Sequence, residues 1–497
     1  MENELFDLLE AKNQMIYRII DLSKYENEWL EVQKIANELS LNERSIQRYI
    51  HYLEEITEEF NASSKNTVEI TYSKFKGLRL ESNPGTINEL KTFIIYSDET
   101  VKLLIEMCLI KTKTTKQYSE ENFISMYSVK KSLDKISLLL AKFNLSINRS
   151  NLSFCGEEKN IRVFTYMFLW AVFKNDSWPF SYISEDKILQ SVDIFFEEAG
   201  IQTTKIHKKQ MLFMSAVCLM RNKKKYFIES HENWDDYVNI GALRNDSFIS
   251  QEINNYQVYN DNEIYFILLV VQMQYRMFKS DTIKERILLY HEKKQTDVYR
   301  LTEAVMKNFQ EEFFEIPEER KDVFFTYCFC AHLYCKVFPG IEFDINGQNI
   351  KNGKNFSNNL IFRLENFIEA IDFQTDILQE KVFLSKIYAA IFSHFKSPNS
   401  YDPRIIIGID SEFPFLVREN LKVNLKRKFS DTFNLSVVES ESGVEDILVT
   451  TMPSLYDSRE HVCTIDYPLK ERDYLFLEAE LNKLQDSLNE HSIQQVS

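Results

Sequence analysis

The stretch Trp29–Leu53, WLEVQKIANELSLNERSIQRYIHYL, constrains the fold more than any other part of the chain. Val32, Ile35, Ala36 and Leu39 recur at helical spacing, which predicts a short amphipathic helix over 31–39. Ser40-Leu41-Asn42 interrupts the pattern, and Asn42 is suited to cap a new helix by accepting from its free N–H groups. The new helix would turn Ile46, Ile50 and Leu53 inward and Arg44, Ser45, Gln47, Arg48 and His51 outward. Two short helices joined by a three- or four-residue turn, the second displaying side chains that can bond bases, form a helix-turn-helix. Arg can hold guanine O6 and N7 with two bonds, Gln can hold adenine N6 and N7, and Ser or Arg can anchor phosphate. An ordinary helical hairpin also has an apolar and a polar face, so the next segment matters. Val68–Tyr72 and Gly77–Leu80 alternate as two strands around Ser73-Lys74-Phe75-Lys76, which places Lys74 and Lys76 near a hairpin tip. Helix, turn, helix and hairpin make a winged helix. Its candidate DNA contacts are Arg44, Ser45, Gln47, Arg48, Lys74 and Lys76.

The remainder must build several cores. At 497 residues the chain predicts roughly three to five domains. Ten Gly and nine Pro leave little material for tight turns, while 38 Phe and 25 Tyr suit aromatic-rich cores between helices, so a mainly α protein is expected. Seven Cys without regular spacing argue against a disulfide framework and for a reducing cytoplasm. The first residues, MENELFDLLEAKNQ, lack the basic-then-apolar order of a signal peptide, and no apolar run reaches the roughly 18 residues of a membrane helix. The net charge of −16 does not exclude a DNA partner, because attraction to phosphate depends on local charge. Residues 1–85 hold 10 Lys/Arg against 16 Asp/Glu, and residues 86–162 hold 12 against 9. An acidic first module suggests that binding needs a second module, a dimer or bent DNA.

Such a second module follows the linker Ser82-Asn83-Pro84-Gly85. Val101–Ile110 is strongly apolar, Ser119-Glu120-Glu121 opens another helix, and Met126-Tyr127-Ser128 turns into a helix with Val129, Leu133, Ile136 and Leu140 inside. Lys130, Lys131 and Lys135 lie on its polar face. This recognition helix starts Ser128-Val129-Lys130-Lys131-Ser132-Leu133, one residue longer from cap to first core residue than Asn42–Ile46, which leaves open by one position which lysine faces DNA. Leu145–Asn148 and Leu152–Phe154 alternate around Arg149-Ser150-Asn151 as a second wing. At the front, residues 5–20 read as one leading helix packed behind the first helix-turn-helix.

Directly after the second hairpin, Gly156-Glu157-Glu158-Lys159-Asn160-Ile161-Arg162 resembles the G-E-E-x-x-I-R run that closes the second winged helix of Mga/AtxA-type virulence regulators. The chain is also similar to transcription regulators of the sugar phosphotransferase system, and the order of everything downstream agrees. The resemblance implies winged helices at 1–84 and 85–162, PRD-like helical domains (phosphotransferase-regulation domains) at 163–283 and 284–398, and an enzyme IIB-like α/β domain at 399–497. It implies a cytoplasmic transcription regulator, an activator of virulence or carbohydrate-linked genes, with double-stranded DNA, a second copy of itself and phosphotransferase-system phosphocarrier proteins as partners. It implies phosphorylation on histidine. His207, beside Lys205, Lys208 and Lys209, and His332 are the candidates. The cluster Arg221, Lys223, Lys224, Lys225 could serve the same end or dock an acidic partner.

In the last segment, Arg404–Ile409, strands at 435–439, 446–450 and 461–466 and a helix at 413–429 predict a small α/β sheet. Enzymes IIB carry a phosphorylated Cys after the first strand; here that loop is Asp410-Ser411-Glu412, which favours an interaction role over phosphotransfer. Leu477, Leu481, Leu484 and Leu488 form an apolar seam, packed either on this sheet or against a second chain in a dimer.

Cys328, His332 and Cys335 share one helix face, but one helix rarely supplies a tetrahedral metal site, so no metal and no cofactor are expected. Phosphate-binding Gly-rich loops, nucleophile elbows and zinc-protease helices are missing from the sequence, so an enzyme is not expected. The rival functions are an RNA-binding antiterminator sharing the helical domains, a non-DNA-binding interaction scaffold, and a phosphotransferase.

Overall fold

A computed structural model describes residues 1–23, 29–111, 113–174, 178–231, 234–240, 260–348, 356–440, 444–456 and 458–496. The chain divides into two compact units, one formed by Met1–Arg300 with His332–Asn349, the other by Leu301–Ala331 with Ile350–Ser497.

The first unit begins with the leading segment, which is two helices rather than one: α1 (Glu2–Leu8) and α2 (Ala11–Ser23). The apolar spacing runs through the break without a signal. What breaks it comes from far along the chain, since the Asp98 carboxylate accepts from Glu10 N–H (2.7 Å) and Asn13 Nδ2 (2.8 Å). Helix α2 packs behind the first helix-turn-helix, and α1 packs on the second.

Helices α3 (Val32–Glu38) and α4 (Glu43–Ser63) follow, then strands β1 (Glu69–Ser73) and β2 (Gly77–Glu81), as the spacing predicts. Ser40 carries the turn at φ 52°, and the Asn42 side chain accepts from Ser45 N–H at 2.8 Å. Ile46, Ile50, Leu53, Ile35 and Leu78 close a core that also takes in Ile87, Leu90 and Ile94 of α5 (Pro84–Ser97). The helix that follows the linker thus seals the first head from below.

The second head consists of α6 (Glu99–Cys108), α7 (Thr115–Glu121), α8 (Met126–Ala141) and the hairpin β3 (Ser146–Asn148), β4 (Ser153–Cys155). Behind it, α9 (Glu158–Phe173) is buried along most of its length and packs on α11 (Lys205–Lys223), which also packs on α10 (Glu185–Glu198). The short α12 (Trp234–Tyr237), α13 (Asp261–Gln272), a 3-10 turn at Tyr275–Lys279 and α14 (Asp281–Lys294) complete this helical block. Helix α14 crosses the boundary expected at 283/284. Its apolar stripe is weak, and its one fully buried residue is His291.

Two further long helices are α15 (Asp297–Glu312) and α16 (Glu318–Val337). In the second unit, α17 (Asn358–Ala370) and α18 (Lys381–Phe395) pack together, and Phe309, Phe313, Phe367 and Phe392 pack edge to face. A four-stranded parallel sheet ends the chain, with β5 (Ile405–Asp410), β6 (Leu435–Glu439), β7 (Ile447–Thr450) and β8 (Val462–Thr464) in the order β6-β5-β7-β8. Helix α19 (Phe415–Phe429) makes the crossover from β5 to β6, as parallel neighbours require. The last helix, α20 (Glu471–Val496), lays Leu477 and Leu481 into the core of this sheet, with Leu484 and Leu488 partly buried beside them. Leu477 and Leu481 are therefore taken up by their own domain, the first of the two alternatives, while Leu484 and Leu488 keep part of their surface. Among the described residues no helix is long and apolar enough to cross a membrane, and no group of three His, Cys, Asp or Glu could hold a metal ion.

Candidate nucleic-acid interface

The two heads share one frame. In the second, Phe123 carries the turn at φ 54° as Ser40 does at 52° in the first, and Ser125 accepts from Ser128 N–H at 3.0 Å as Asn42 does from Ser45. The first core residue stands four positions after the cap in both, Ile46 after Asn42 and Val129 after Ser125. The expected one-residue difference is therefore absent: Ser125, not Ser128, is the cap. The frame fixes the helix phase and pairs Arg44 with Tyr127, Ser45 with Ser128, Gln47 with Lys130 and Arg48 with Lys131. Arg44, Arg48, Lys130 and Lys131 are exposed; Ser45 and Gln47 are half-buried.

Lys135 does not belong to this face. Its counterpart is Tyr52, whose hydroxyl turns inward to Asn13, and its ammonium donates to the carbonyls of Leu8 (3.0 Å) and Leu9 (2.5 Å). Those are the free carbonyls at the C-terminal end of α1, where a cation is favoured. His51 is exposed but flanked by Glu54 and Glu55.

The wings differ more than the helices. Lys74 and Lys76 are exposed on a three-residue loop, with the Lys76 ammonium 5.5 Å from the centre of the Trp29 ring. Its root is stiff. Leu30 and Leu78 exchange two backbone bonds, and Gly77 sits so close that a Cβ would lie 2.1 Å from the Leu30 carbonyl oxygen. The second wing instead spends Arg149 on Asp134 at 2.6 Å.

The G-E-E-x-x-I-R run acquires a physical meaning here. Gly156, at φ 139°, occupies a position where a Cβ would meet the Leu145 side chain at 2.6 Å. Glu158 and Arg162 enter a buried four-member network. Arg162 donates to Glu158 (3.0 Å) and, with two nitrogens, to Glu263 of α13 (2.5 and 2.9 Å), while Arg221 of α11 grips Glu158 (2.8 and 2.5 Å). Glu263 also accepts from Ile228 N–H at 2.8 Å. Two positive and two negative groups cancel, and every partner is hydrogen-bonded, the condition under which buried charge is tolerated. The network ties the first turns of α9, directly behind the second head, to α11 and α13. Arg221 is thus buried rather than part of a surface basic cluster, although Lys223, Lys224 and Lys225 are exposed.

His207 is half-buried on α11, and burial first, then Arg276 and Lys279, hold its pKa below the usual imidazole value. The adjacent lysines are occupied, Lys208 by Asp193 and Lys209 by the Lys174 carbonyl. Arg276 and Lys279 come from the 3-10 turn about 70 residues away, and no local pattern around His207 announces them. His332 is fully buried, and burial pushes its pKa down to about 3. His291 is equally enclosed, bonded to Thr296 (2.9 Å) and Gln272 (3.0 Å), with a pKa lowered by burial to about 4. In the C-terminal sheet, Asp410 accepts from the Tyr456 hydroxyl and Glu412 from the Thr451 hydroxyl, so the loop after β5 is tied to the segments that follow β7.

Residues 85–169, which hold the second winged head, match the family model described as the Mga helix-turn-helix domain. The chain thus resembles transcription regulators of the Mga/AtxA type, and the relatives it matches are named as regulators. Over 94% of its length it is 21% identical to the capsule synthesis positive regulator AcpB of Bacillus anthracis, covering 98% of that protein. It is 20% identical to the anthrax toxin expression trans-acting positive regulator of the same organism over 53% of the chain and 54% of the relative. A putative trans-acting regulator of Streptococcus pneumoniae serotype 4 is 19% identical over 74% of the chain and 75% of its own length.

Proposed function

We propose that the protein is a positive transcription regulator that binds duplex DNA through α4, α8 and the two wings, and whose output is set by phosphorylation of His207. The observation that carries this is the shared frame, which puts exposed cations at matched positions, Arg48 with Lys131, on two helices each capped and buried in the same way. The named relatives are positive regulators of capsule or toxin genes, and that sign is carried over here. An RNA-binding antiterminator would need a different front module from two winged heads. Titration of a labelled duplex and of an RNA hairpin of the same sequence separates the two. Tight duplex binding is expected, and preference for the RNA would overturn the proposal.

Regulation rests on chemistry at His207. A neutral imidazole is the nucleophile that accepts a phosphoryl group, and its low pKa keeps it neutral at pH 7. The phosphoimidazole that results is an anion facing Arg276 and Lys279. A phosphocarrier protein of the phosphotransferase system is the donor. His332 ranks second, because its helix must open before a donor reaches it. Incubation with a phosphorylated phosphocarrier should label the wild type and not His207→Ala; equal labelling of both would remove His207 from the scheme. The protein acts as a homodimer, with contacts other than Leu477 and Leu481. Sedimentation as a monomer at micromolar concentration would contradict this.

A further inference from the structure

We infer that Phe75, at the tip of the first wing, is a wedge that enters between base pairs from the minor groove and kinks the DNA. The inference rests on the proposed duplex binding and deepens it.

Phe75 is 95% exposed, and the other apolar side chains of its hairpin are not: Leu78 and Leu80 are buried, Ile70 and Tyr72 half-buried. It is the middle residue of the three-residue loop Lys74-Phe75-Lys76, which joins Ser73 to its register partner Gly77. Both flanking lysines are exposed. The carboxylates of the hairpin, Glu69 and Glu81, face each other at the far end of the ladder, roughly 20 Å from the tip at the usual strand rise. The tip is therefore an apolar ring between two cations, and the nearest acid backbone is that of Glu31, beside Gly77 at the base of the loop. Phosphate attracts the cations, and the ring then has only sugar edges and base faces to cover. Minor-groove proteins place Phe between unstacked base pairs in this way and bend the duplex by about 20–90°.

Stiffness makes the ring a wedge rather than a loose contact. The Leu30–Leu78 bridge adds a third strand segment at the base of the loop, and the Gly77 approach to Leu30 admits no side chain. Lys76 is drawn back over Trp29, which fixes one side of the loop. A lever anchored like this transmits force from the head to the ring. The acidic balance of residues 1–85 points the same way, since a head with weak general attraction for DNA gains from contacts that reward deformable sequence. Flexible pyrimidine–purine steps such as TA are the preferred entry points.

The test uses the full-length protein and a duplex of about 40 base pairs with a fluorophore at each end and 2-aminopurine beside a central TA step. The wild type should shorten the end-to-end distance and raise 2-aminopurine emission. Phe75→Ala should still bind, with affinity reduced less than about tenfold, while both signals fall to those of free DNA; Phe75→Leu should keep part of each. Binding by Phe75→Ala with unchanged bending and emission would overturn the wedge and leave duplex binding intact. Absence of any duplex binding by the wild type would overturn both.

Discussion

The two winged heads have the same turn, cap and inner residues but spend their basic side chains differently. The first leaves Arg44, Arg48, Lys74 and Lys76 exposed on an otherwise acidic module. The second uses Lys135 to hold the end of α1 and Arg149 to hold Asp134, keeping Lys130 and Lys131 outward. It is also bolted to its surroundings. Phe143 stacks on Phe343 at 4.7 Å, Asn144 donates to the Pro339 carbonyl at 3.0 Å, and the buried Glu158–Arg162–Glu263–Arg221 network fastens α9. The same frame thus leaves its cations exposed in the first head and commits part of them to its surroundings, as an anchor, in the second.

Breaking the anchor should have the largest effect. Arg162→Ala leaves Glu263 and Glu158 short of partners in the interior and should cost about 3–5 kcal/mol in chemical denaturation. Amide exchange should show the loss in α9 and α13 before it appears in α3 and α4; uniform loss would mean the heads are not distinct. Next in size is the exposed face of α4. Arg44→Ala with Arg48→Ala should weaken duplex binding on the order of a hundredfold at moderate salt and relax sequence preference, measured by anisotropy against specific and scrambled duplexes. Lys130→Ala with Lys131→Ala should cost less, about tenfold, and equally on both duplexes, as phosphate contacts do. The smallest effect on DNA is expected from Lys135→Ala, which should leave affinity within about twofold and lower stability by about 1 kcal/mol. A tenfold loss of affinity there would return Lys135 to the interface.

What the sequence disclosed follows the range of the interactions involved. The first helix-turn-helix was legible because Asn42 and the Ile46, Ile50, Leu53 spacing are local signals. The second was legible in kind but not in phase, because Ser125 and Ser128 are both good caps and the two hydroxyls lie 2.9 Å apart. Distant partners hid the rest. The break between α1 and α2 depends on Asp98, the inward turn of Lys135 on the end of α1, and the surroundings of His207 on Arg276. The leucine spacing of α20 was visible, whereas its partner, the domain's own sheet, was one of two choices that spacing alone leaves equal. Helix α14 leaves little apolar pattern in the sequence, because its one buried residue is an imidazole, His291.

The most direct measurement is the dependence of duplex affinity on salt for the wild type and the two double variants, Arg44→Ala with Arg48→Ala and Lys130→Ala with Lys131→Ala. Each phosphate contact contributes about 0.9 to the slope of log affinity against log salt. If both heads lie on the same duplex, Lys130→Ala with Lys131→Ala should flatten the line by about 2, and the arginine double by about 1 to 2. Parallel lines for all three proteins would contradict the account, for the outward cations of the two heads would then not be touching DNA.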